Sequence, residues 1–235
     1  LESRCITRDL TWGTPVPWEY DETLSKYKGK VFYVWFDAPF GYYSILMKNR
    51  PDWKNWLNKV EMIQKMGKDN VSFHTVMFPG SILGSKMNLP LVNKLSCTEY
   101  LLYEGEKFSK SNCIGIFGDQ VEQLSKKIGI TEDYWRFYLV KIRPETHDSS
   151  FDWKDFLGVI TSDLVNNIGN FVNRCMSMTV KFCNNKTHYD HNDINIDEIN
   201  AIVNLYTKSF EKFKLRDTLA QCLALSSIGN LYLQT

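Results

Sequence analysis

Three short runs of β-branched, aromatic and aliphatic residues, separated by stretches with helical spacing, constrain the fold of this chain more than any other feature. The runs are KVFYVWF at 30–36, VEMIQKM at 60–66 and KLSCTEYLLY at 94–103, and the helical stretches between them are 52–59 and 70–84. Such alternation is typical of a parallel sheet built from βαβ units. The first half of the chain is therefore predicted to be α/β.

From about residue 118 onward the spacing of apolar residues is helical instead. A long helix is predicted over 159–183, and two more over 195–213 and 215–234, with the polar stretch NNKTHYDHND at 184–193 as a loop. Four apolar side chains of the long helix share one face, which is expected to be buried: Leu164, Ile168, Val172 and Cys175. The second half is therefore predicted to be a helical bundle.

Composition excludes several classes of protein. The chain has 235 residues, enough for one large or two ordinary domains, and 43% of them are hydrophobic, enough to bury a sizeable core. A net charge of +1 excludes a strongly basic nucleic-acid binder but allows a local basic face. The six cysteines form no CxxC pair, which argues against a structural zinc site. No apolar run is long enough to span a membrane, no signal peptide is visible, and the missing initiator Met favours a fragment.

Unusual residues follow each of the three strand candidates. The segments are WFDAPFGY, MGKDN and GEKFSKS. In α/β sheets, ligands bind outside the carboxyl ends of the strands. We therefore expect the three segments to converge on one crevice.

The stretch GEKFSKSNCIGIFGD, residues 105–119 and here named the signature loop, carries two lysines, Lys107 and Lys110, with Ser109 between them. Positive charge on a loop that can close suits phosphoryl or adenylyl transfer, which depends on positioning and on stabilising developing negative charge. Taken alone, a four-residue KxSK pattern favours a solvated basic loop.

WFDAPFGY places aromatic side chains around small residues. Trp35, Ala38, Pro39 and Tyr42 could form an apolar slot for a flexible thioether or aliphatic side chain. Pro39 and Gly41 are expected to turn the chain sharply. The competing interpretation of this segment is ordinary core packing.

MGKDNVSFHTVMF combines a glycine, an acid and a mixed polar face. Gly67 allows close backbone approach, and Asp69 could accept hydrogen bonds from a ribose. Asn70, His74 and Phe78 are spaced four apart, which places them on one helical face suited to a pocket wall. A lone histidine is more often structural.

On the long predicted helix, Asn170 and Arg174 are an i,i+4 pair expected to lie opposite the apolar face. Asparagine and arginine can bind the edges of unpaired bases and stack on them. Spacing alone favours a solvated polar face.

Together these segments resemble one family. KFSKS resembles the KMSKS signature of class I aminoacyl-tRNA synthetases, with Phe108 in place of the usual methionine. YVWFDAPFGY, MGKDNVSFHT, ITRDLTWGTPVP and FGDQ resemble the methionyl-tRNA synthetases of eukaryotes and archaea, and GNFVNR and LRDTLAQCLALSSIGNLYLQ resemble their helical anticodon-binding domain. The resemblance runs from about residue 3 to 234.

The resemblance implies the second half of a Rossmann-type catalytic domain followed by an α-helical anticodon-binding bundle. It predicts a connector at 1–29, the catalytic half with the KFSKS loop at 30–117, a stem-contact region at 118–158 and a truncated anticodon-binding domain at 159–235.

The implied function is that of a methionine–tRNA ligase, which activates methionine with ATP and transfers it to tRNA(Met). Lys107 and Lys110 would be catalytic. ATP would meet Gly67, Asp69, Lys107, Ser109 and Lys110. Methionine would meet Trp35, Ala38, Pro39, Tyr42, Asn70, His74 and Phe78. The CAU anticodon would meet Asn170 and Arg174.

The resemblance also implies partners and a compartment. ATP with Mg²⁺ is expected as substrate, with no protein-bound metal. A cytoplasmic location away from membranes is expected, and the resemblance allows membership of a multi-synthetase complex.

The chain departs from the family pattern in one important respect. It contains no HxGH motif, because its histidines, His74, His147, His188 and His191, do not fit that spacing. The zinc-bearing insertion is also absent, so the chain is expected to be inactive by itself. Two alternatives remain at this point: a leucine, isoleucine or valine synthetase, and a non-catalytic tRNA-binding or scaffold relative.

Overall fold

A computed structural model describes residues 3–184, 186 and 196–234. It divides into two compact units, Leu1–Cys97 and Thr98–Thr235. The division lies inside the segment 30–117 that the resemblance predicts as one catalytic half. Most of the predicted loop at 184–193 lies outside the described residues.

Two small sheets form in the first unit. Strand β1 (Thr7–Arg8) pairs antiparallel with β2 (Val31–Phe32), and β3 (Ile63–Gly67) pairs with β4 (Lys94–Thr98). The predicted single sheet is therefore wrong, because the candidate strands at 30–36 and 60–66 lie in different sheets. The first of them also stops after two residues, since a helix begins at Val34.

Short helices make up the rest of the first unit. The α-helices are α1 (Val34–Asp37), α2 (Gly41–Asn49), α3 (Trp53–Leu57) and α4 (Phe78–Ser85). The 3₁₀ turns are Trp18–Tyr20, Glu22–Tyr27, Ala38–Phe40 and Lys68–Asn70, and a π-helix covers Phe73–Met77. The predicted helix at 52–59 is confirmed by α3. The one at 70–84 is a composite of 3₁₀, π and α turns. The expected sharp turn at Gly41 is wrong, because Gly41 is helical with φ −51°.

The core of the first unit is built around α2 and α4. Four side chains form its buried centre: Tyr43, Leu57, Phe78 and Ile82. The Tyr43 hydroxyl donates to the carbonyl of Pro90 at 2.6 Å, so this large ring is buried without an unpaired polar group. Burial raises the pKa of Tyr43.

The second unit contains a three-stranded sheet of order β6–β5–β7. Its strands are β5 (Leu101–Tyr103), β6 (Glu106–Lys107) and β7 (Ser149–Phe151). β6 pairs antiparallel and β7 parallel with β5. The predicted strand at 94–103 is thus split. The reason is that the intervening N–H groups of Glu99 and Tyr100 donate to Pro144 O and Asp148 Oδ1, both at 2.9 Å.

Helices dominate the remainder of the second unit. They are α5 (Gly118–Ile128), α6 (Glu132–Lys141), α7 (Trp153–Val159), α8 (Asn170–Phe182), α9 (Ile196–Glu211) and α10 (Leu215–Tyr232). α5 and α6 form the crossover that the parallel β5–β7 pair requires. A π-helix over Ile160–Gly169 joins α7 to α8 in one continuous rod. The predicted helix over 159–183 is therefore present but starts earlier and is not uniformly α.

An aromatic cluster fills the core of the second unit. Trp135, Tyr138, Phe151 and Phe156 are buried and pack with ring centroids 5.1–5.8 Å apart. The Trp135 indole N–H donates to Ser125 Oγ at 2.9 Å, and the Tyr138 hydroxyl donates to Asp155 Oδ2 at 2.7 Å. Burial, with the adjacent Asp155 carboxylate, raises the pKa of Tyr138.

A glutamate outside the helix fixes the start of α10. Glu145 Oε1 accepts from the backbone N–H groups of Leu215 and Arg216 at 2.8 and 3.2 Å. The same oxygen lies 2.9 Å from Arg143 Nη1, and both side chains are only 16% exposed. Glu145 thereby satisfies two of the unpaired donors at the helix N-terminus and lies at its positive end.

Within the part of the chain that the structure describes, none of the helices has the length and apolarity needed to cross a membrane.

Candidate active site and nucleic-acid interface

A buried histidine organises the candidate site of the first unit. His74 lies in the π-helix and is 4% exposed. Its Nδ1 is 2.8 Å from the carbonyl oxygen of Asn70, which can only accept, so Nδ1 carries the proton. In the neutral ring Nε2 then accepts, and the Tyr42 hydroxyl at 3.0 Å is its donor. The imidazole is thereby held in one tautomer and one orientation.

Aromatic rings surround this histidine. Trp35 meets the edge of the His74 ring at 5.8 Å and stacks on Phe73 at 4.7 Å, with 10° between the ring planes. Sequence reasoning missed Phe73. The available signal was an aromatic residue immediately before His74. Phe73 is the first residue of the π-helix, and π-helices are frequent at functional sites.

The structure brings together two of the three segments predicted to converge. WFDAPFGY and MGKDNVSFHT meet through the contacts of His74 with Trp35 and Tyr42. The predicted lining residues differ in accessibility, however. Tyr42 is 42% exposed, and Ala38 is also exposed, whereas Pro39 is buried and Phe78 is only 1% exposed. Phe78 therefore belongs to the core as well, where its ring lies 5.9 Å from that of Tyr42.

The strand end before this cluster is open. β3 ends at Gly67, in extended backbone with φ −77°, and a Cβ built there meets no atom within 4 Å. The following turn, Lys68–Asn70, exposes Asp69. Packing within the protein therefore does not require glycine at 67, and the space beside it is accessible from outside.

In the second unit, a tight hairpin positions the signature loop. Glu104 and Gly105 connect β5 to β6 with φ of 48° and 83°, the left-handed pair typical of two-residue hairpins. Glu104 Oε1 accepts from the backbone N–H of Trp153 at 3.0 Å, and Gly105 N donates to Ser150 Oγ at 2.8 Å. The hairpin is thus tied to β7 and to the start of α7.

Beyond the hairpin, the signature loop is closed on itself. Ser109 and Ile114 exchange backbone hydrogen bonds of 3.0 and 2.9 Å. Phe108 packs against Tyr103 at 5.7 Å and Phe117 at 5.9 Å. Gly115 has φ +105°, and a Cβ built on it would lie 2.2 Å from Phe108 Cδ1. Only glycine fits there, so Phe108 anchors the loop by lying over a position without a side chain.

Both signature lysines are exposed, and each lies over an aromatic ring. Lys107 Nζ is 5.7 Å from the centre of Tyr100, and Lys110 Nζ is 5.2 Å from the centre of Phe117. Exposed contacts of this kind contribute only about 0.5–1 kcal/mol. A ligand carrying several negative charges can therefore draw either lysine away. A cavity of about 310 Å³ adjoins Lys107 and Phe108.

The predicted anticodon residues lie on a polar seam between two helices. Asn170 Nδ2 donates to Asn230 Oδ1 at 2.8 Å. Arg174 donates to the carbonyl oxygens of Asn230, at 3.0 Å, and Leu233. The expectation that Arg174 stands on a solvated face, free of the protein, is wrong, because it is half-buried against the carbonyl end of α10.

The predicted apolar face of this helix is wrong at one position. Val172 is 53% exposed rather than buried, whereas Leu164, Ile168 and Cys175 are half-buried. The π-helix over Ile160–Gly169 shifts the angular positions of all later residues relative to a uniform α-helix. Phe171 packs inward instead, and a Cβ on Gly229 of α10 would lie 2.3 Å from its ring.

A family profile fits this combination of fold and segments. The profile described as tRNA synthetases class I (M) matches residues 1–176. This chain belongs to the class I (M) tRNA synthetases. The match ends within α8, so it covers the first unit, the signature loop and the first part of α8, including Asn170 and Arg174.

Relatives of this class I (M) chain with curated names are similar along its whole length. It is 53% identical to a methionine–tRNA ligase of Acanthamoeba polyphaga mimivirus, with 100% of this chain and 42% of the relative aligned. It is 45% identical to the cytoplasmic methionine–tRNA ligase of Saccharomyces cerevisiae and 44% to the probable enzyme of Oryza sativa, again over 100% of this chain but 31% and 30% of the relatives. The chain therefore spans less than half the length of each of these relatives.

Solved structures show the same fold for the class I (M) chain. Methionyl-tRNA synthetase of Mycobacterium tuberculosis, bound by methionyl-adenylate, superposes with a TM-score of 0.80 at 18% identity, over 100% of this chain and 44% of that one. Its free form gives 0.74 at 19% identity, over 97% and 43%. The mixed helices and sheets of the class I catalytic-domain fold are thereby confirmed.

Proposed function

We propose that this chain supplies part of a methionine–tRNA ligase, with methionine, ATP and tRNA(Met) as substrates. Membership of the class I (M) tRNA synthetases supports this, as do curated relatives that are named methionine–tRNA ligase. The observation that carries the proposal is the ordered cluster of His74, Tyr42, Trp35 and Phe73 in the first unit.

The cluster suits a methionine side chain. Trp35 and Phe73 supply flat apolar surface, and sulfur makes favourable contacts with aromatic rings. Tyr42 is partly exposed while its hydroxyl is bound to His74, so the side chain offers an immobilised rim. Asn70 is fixed by the bond from His74 to its carbonyl, and Ala38 leaves room beside Trp35. Pro39 and Phe78 support this surface from the core.

Two groups of residues are assigned to ATP. Gly67 and Asp69 are proposed to meet the ribose, because the strand end is open and the acid is exposed. Lys107, Ser109 and Lys110 are proposed to meet the phosphates. Methionine carboxylate attacks the α-phosphorus and pyrophosphate leaves, and because the carboxylate is already ionised no general base is required. The lysines stabilise the negative charge that develops.

Mg²⁺ is proposed to arrive with ATP, since phosphates are its usual partners. Among the described residues no group of three His, Cys, Asp or Glu side chains is placed to hold a metal ion.

Asn170 and Arg174 are proposed to contact the anticodon. They would lie on a helical anticodon-binding bundle formed by the segment 159–235, which follows a stem-contact region at 118–158. The cytoplasmic relatives favour a cytoplasmic location, and a multi-synthetase complex is one assembly for such an enzyme.

The test is Lys110→Ala in the full-length protein. Adenylate formation in a single turnover should slow by roughly 100- to 1000-fold, the loss typical of removing one donor that stabilises the transition state. Methionine binding at equilibrium should change little. The matched control is Lys126→Ala on α5, a surface lysine paired with Glu122 at 2.5 Å, which should leave the rate unchanged. An unaltered rate in Lys110→Ala would contradict the role proposed for this lysine, whereas no adenylate formation by the wild type would favour the non-catalytic, tRNA-binding alternative.

A further inference from the structure

The seam between α8 and α10 contains a chain of three asparagine amides, Asn167, Asn230 and Asn170. Asn167 Nδ2 donates to Leu223 O and Ser227 Oγ, both at 3.0 Å. Asn230 Nδ2 donates to Asn167 O at 2.9 Å and to Ser226 O at 3.2 Å. Asn230 Oδ1 accepts from Asn170 Nδ2 at 2.8 Å.

This chain has a fixed polarity. A backbone carbonyl can only accept a hydrogen bond, so the end of the Asn230 amide that meets two carbonyls must be its nitrogen. Its oxygen then faces Asn170, and the end of the Asn170 amide that meets this oxygen must also be nitrogen. The orientation of each amide therefore follows from the backbone of α10 and of the π-helix rather than from an arbitrary choice.

The consequence concerns Asn170 Oδ1, the amide atom of this hydrogen-bonded series that faces outward. Asn170 is exposed and lines two cavities, of about 750 and 390 Å³. Among the residues that the structure describes, Asn170 Oδ1 accepts no hydrogen bond. One N–H of Asn170 Nδ2 is used by Asn230, which fixes the orientation of the amide, so Asn170 offers a partner its Oδ1 as an acceptor.

We propose that Asn230 is a positioning residue that orients Asn170 to accept a hydrogen bond from an amino group on a base edge. The proposal rests on the function proposed above, in which Asn170 and Arg174 contact the anticodon. Cytosine and adenine carry such an amino group, whereas uracil and inosine carry a carbonyl at the same place. The backbone carbonyl oxygen of Asn230 also accepts from Arg174, so one residue of α10 orders both proposed anticodon residues.

The experiment measures tRNA charging by the full-length protein carrying Asn230→Ala. We expect the KM for wild-type tRNA(Met) transcript to rise roughly tenfold, within the range of one base-edge contact, with kcat and ATP–pyrophosphate exchange within twofold of wild type. Gln234→Ala is the matched control, because this amide lines the same 390 Å³ cavity and makes no hydrogen bond to Asn170 in the described structure. It should charge normally.

Two further measurements separate positioning from loss of structure. In an Asn170→Ala background, adding Asn230→Ala should raise KM by less than twofold, because the residue through which it acts is gone. The wild type is expected to charge tRNA with cytosine in the anticodon more efficiently than tRNA with uracil there, or tRNA with adenine more efficiently than tRNA with inosine. In Asn230→Ala this ratio of charging efficiencies should fall at least fivefold. If this variant melts too low to assay, Asn230→Ser is expected to give the same defect, since its hydroxyl can still donate to the carbonyl one turn back.

The outcomes distinguish the inference from the function beneath it. An Asn170→Ala defect combined with an undiminished effect of Asn230→Ala in that background would overturn the inference alone. So would an unchanged base preference in Asn230→Ala. Normal charging by both Asn170→Ala and Arg174→Ala would overturn the anticodon assignment and the inference with it.

Discussion

At the scale of single residues, the site depends on atoms that have one permitted arrangement. His74 is fixed because a carbonyl can only accept, and Phe108 is fixed because Gly115 has no side chain. In both cases a neighbouring group that allows only one arrangement fixes the position of a candidate functional residue. A substitution at Gly115 should therefore have an effect that is larger than the size of the added group suggests.

The first residue-scale prediction concerns Gly115→Ala. An alanine at 115 would have to keep the positive φ of Gly115, and its Cβ would overlap Phe108. The free energy of unfolding should therefore fall by about 1–3 kcal/mol. Chemical denaturation of the full-length protein measures this. Gly118→Ala is the control, because a Cβ at Gly118 meets no atom within 4 Å and the residue begins α5. Equal stability of the two variants would show that the loop adapts to a side chain.

The second concerns Tyr138 at high pH. Its pKa is raised in the folded protein, mainly by burial, so the unfolded chain releases this proton first as the pH rises. Below the ordinary tyrosine pKa of about 10 the neutral ring contributes its full stability, and above it that contribution is lost progressively. Thermal unfolding should show a steeper fall in stability above pH 10 for wild type than for Tyr138→Phe. Parallel curves would contradict the assignment of this effect to Tyr138.

At the scale of elements, the sequence predicts which segments are helical better than which way they face. The helices at 52–59, 195–213 and 215–234 are found close to their predicted bounds, because periodicity and end signals are local. The orientation of the helix carrying Asn170 could not be predicted, because a π-helix changes the angle at which every later residue emerges.

The candidate site follows the same division. The segments that meet in the first unit, WFDAPFGY and MGKDNVSFHT, are recognisable from residue types placed at strand and helix ends. The burial of Phe78 and the pairing of Arg174 with α10 are not, since both arise from packing between elements distant in the chain. The predicted strand at 30–36 is shortened to Val31–Phe32, and Trp35 stacks on Phe73 from within a helical turn.

The element-scale prediction is Gly169→Ala. Gly169 ends the π-helix, and a Cβ there would lie 2.9 Å from the backbone oxygen of Leu164. Backbone cannot move aside as a side chain can, so the substitution should destabilise by about 1–3 kcal/mol. In the same rod a Cβ on Gly158 meets no atom within 4 Å, and Gly158→Ala should stabilise by about 0.5–1 kcal/mol. Denaturant unfolding that gave both variants the same sign would contradict this account.

At the scale of the whole molecule, each unit has an aromatic core and candidate functional residues of its own. The first unit holds the proposed methionine surface around His74. The second holds the signature loop and the polar seam of α8 and α10. The hairpin residue Glu104, which accepts from the N–H of Trp153, ties the loop to the helical rod that ends in α8.

The whole-molecule prediction concerns residues 1–235 alone. Because the chain contains no HxGH motif, it should support no methionine-dependent ATP–pyrophosphate exchange above background. The control is the full-length protein assayed at the same molar concentration. Exchange by the 235-residue chain at a rate near that of the full-length protein would show that the motif is dispensable.

The continuous rod from α7 through the π-helix to α8 has a consequence for how this chain tolerates insertion and deletion. Removing one residue from an α-helix rotates everything beyond it by about 100°. A single-residue deletion at exposed Lys154 or Leu157 of α7 would therefore turn Arg174 away from the carbonyl oxygens of α10, although substitution at either position leaves that register intact. In this rod the number of residues between Trp153 and Arg174 is therefore constrained more tightly than the identities of those residues.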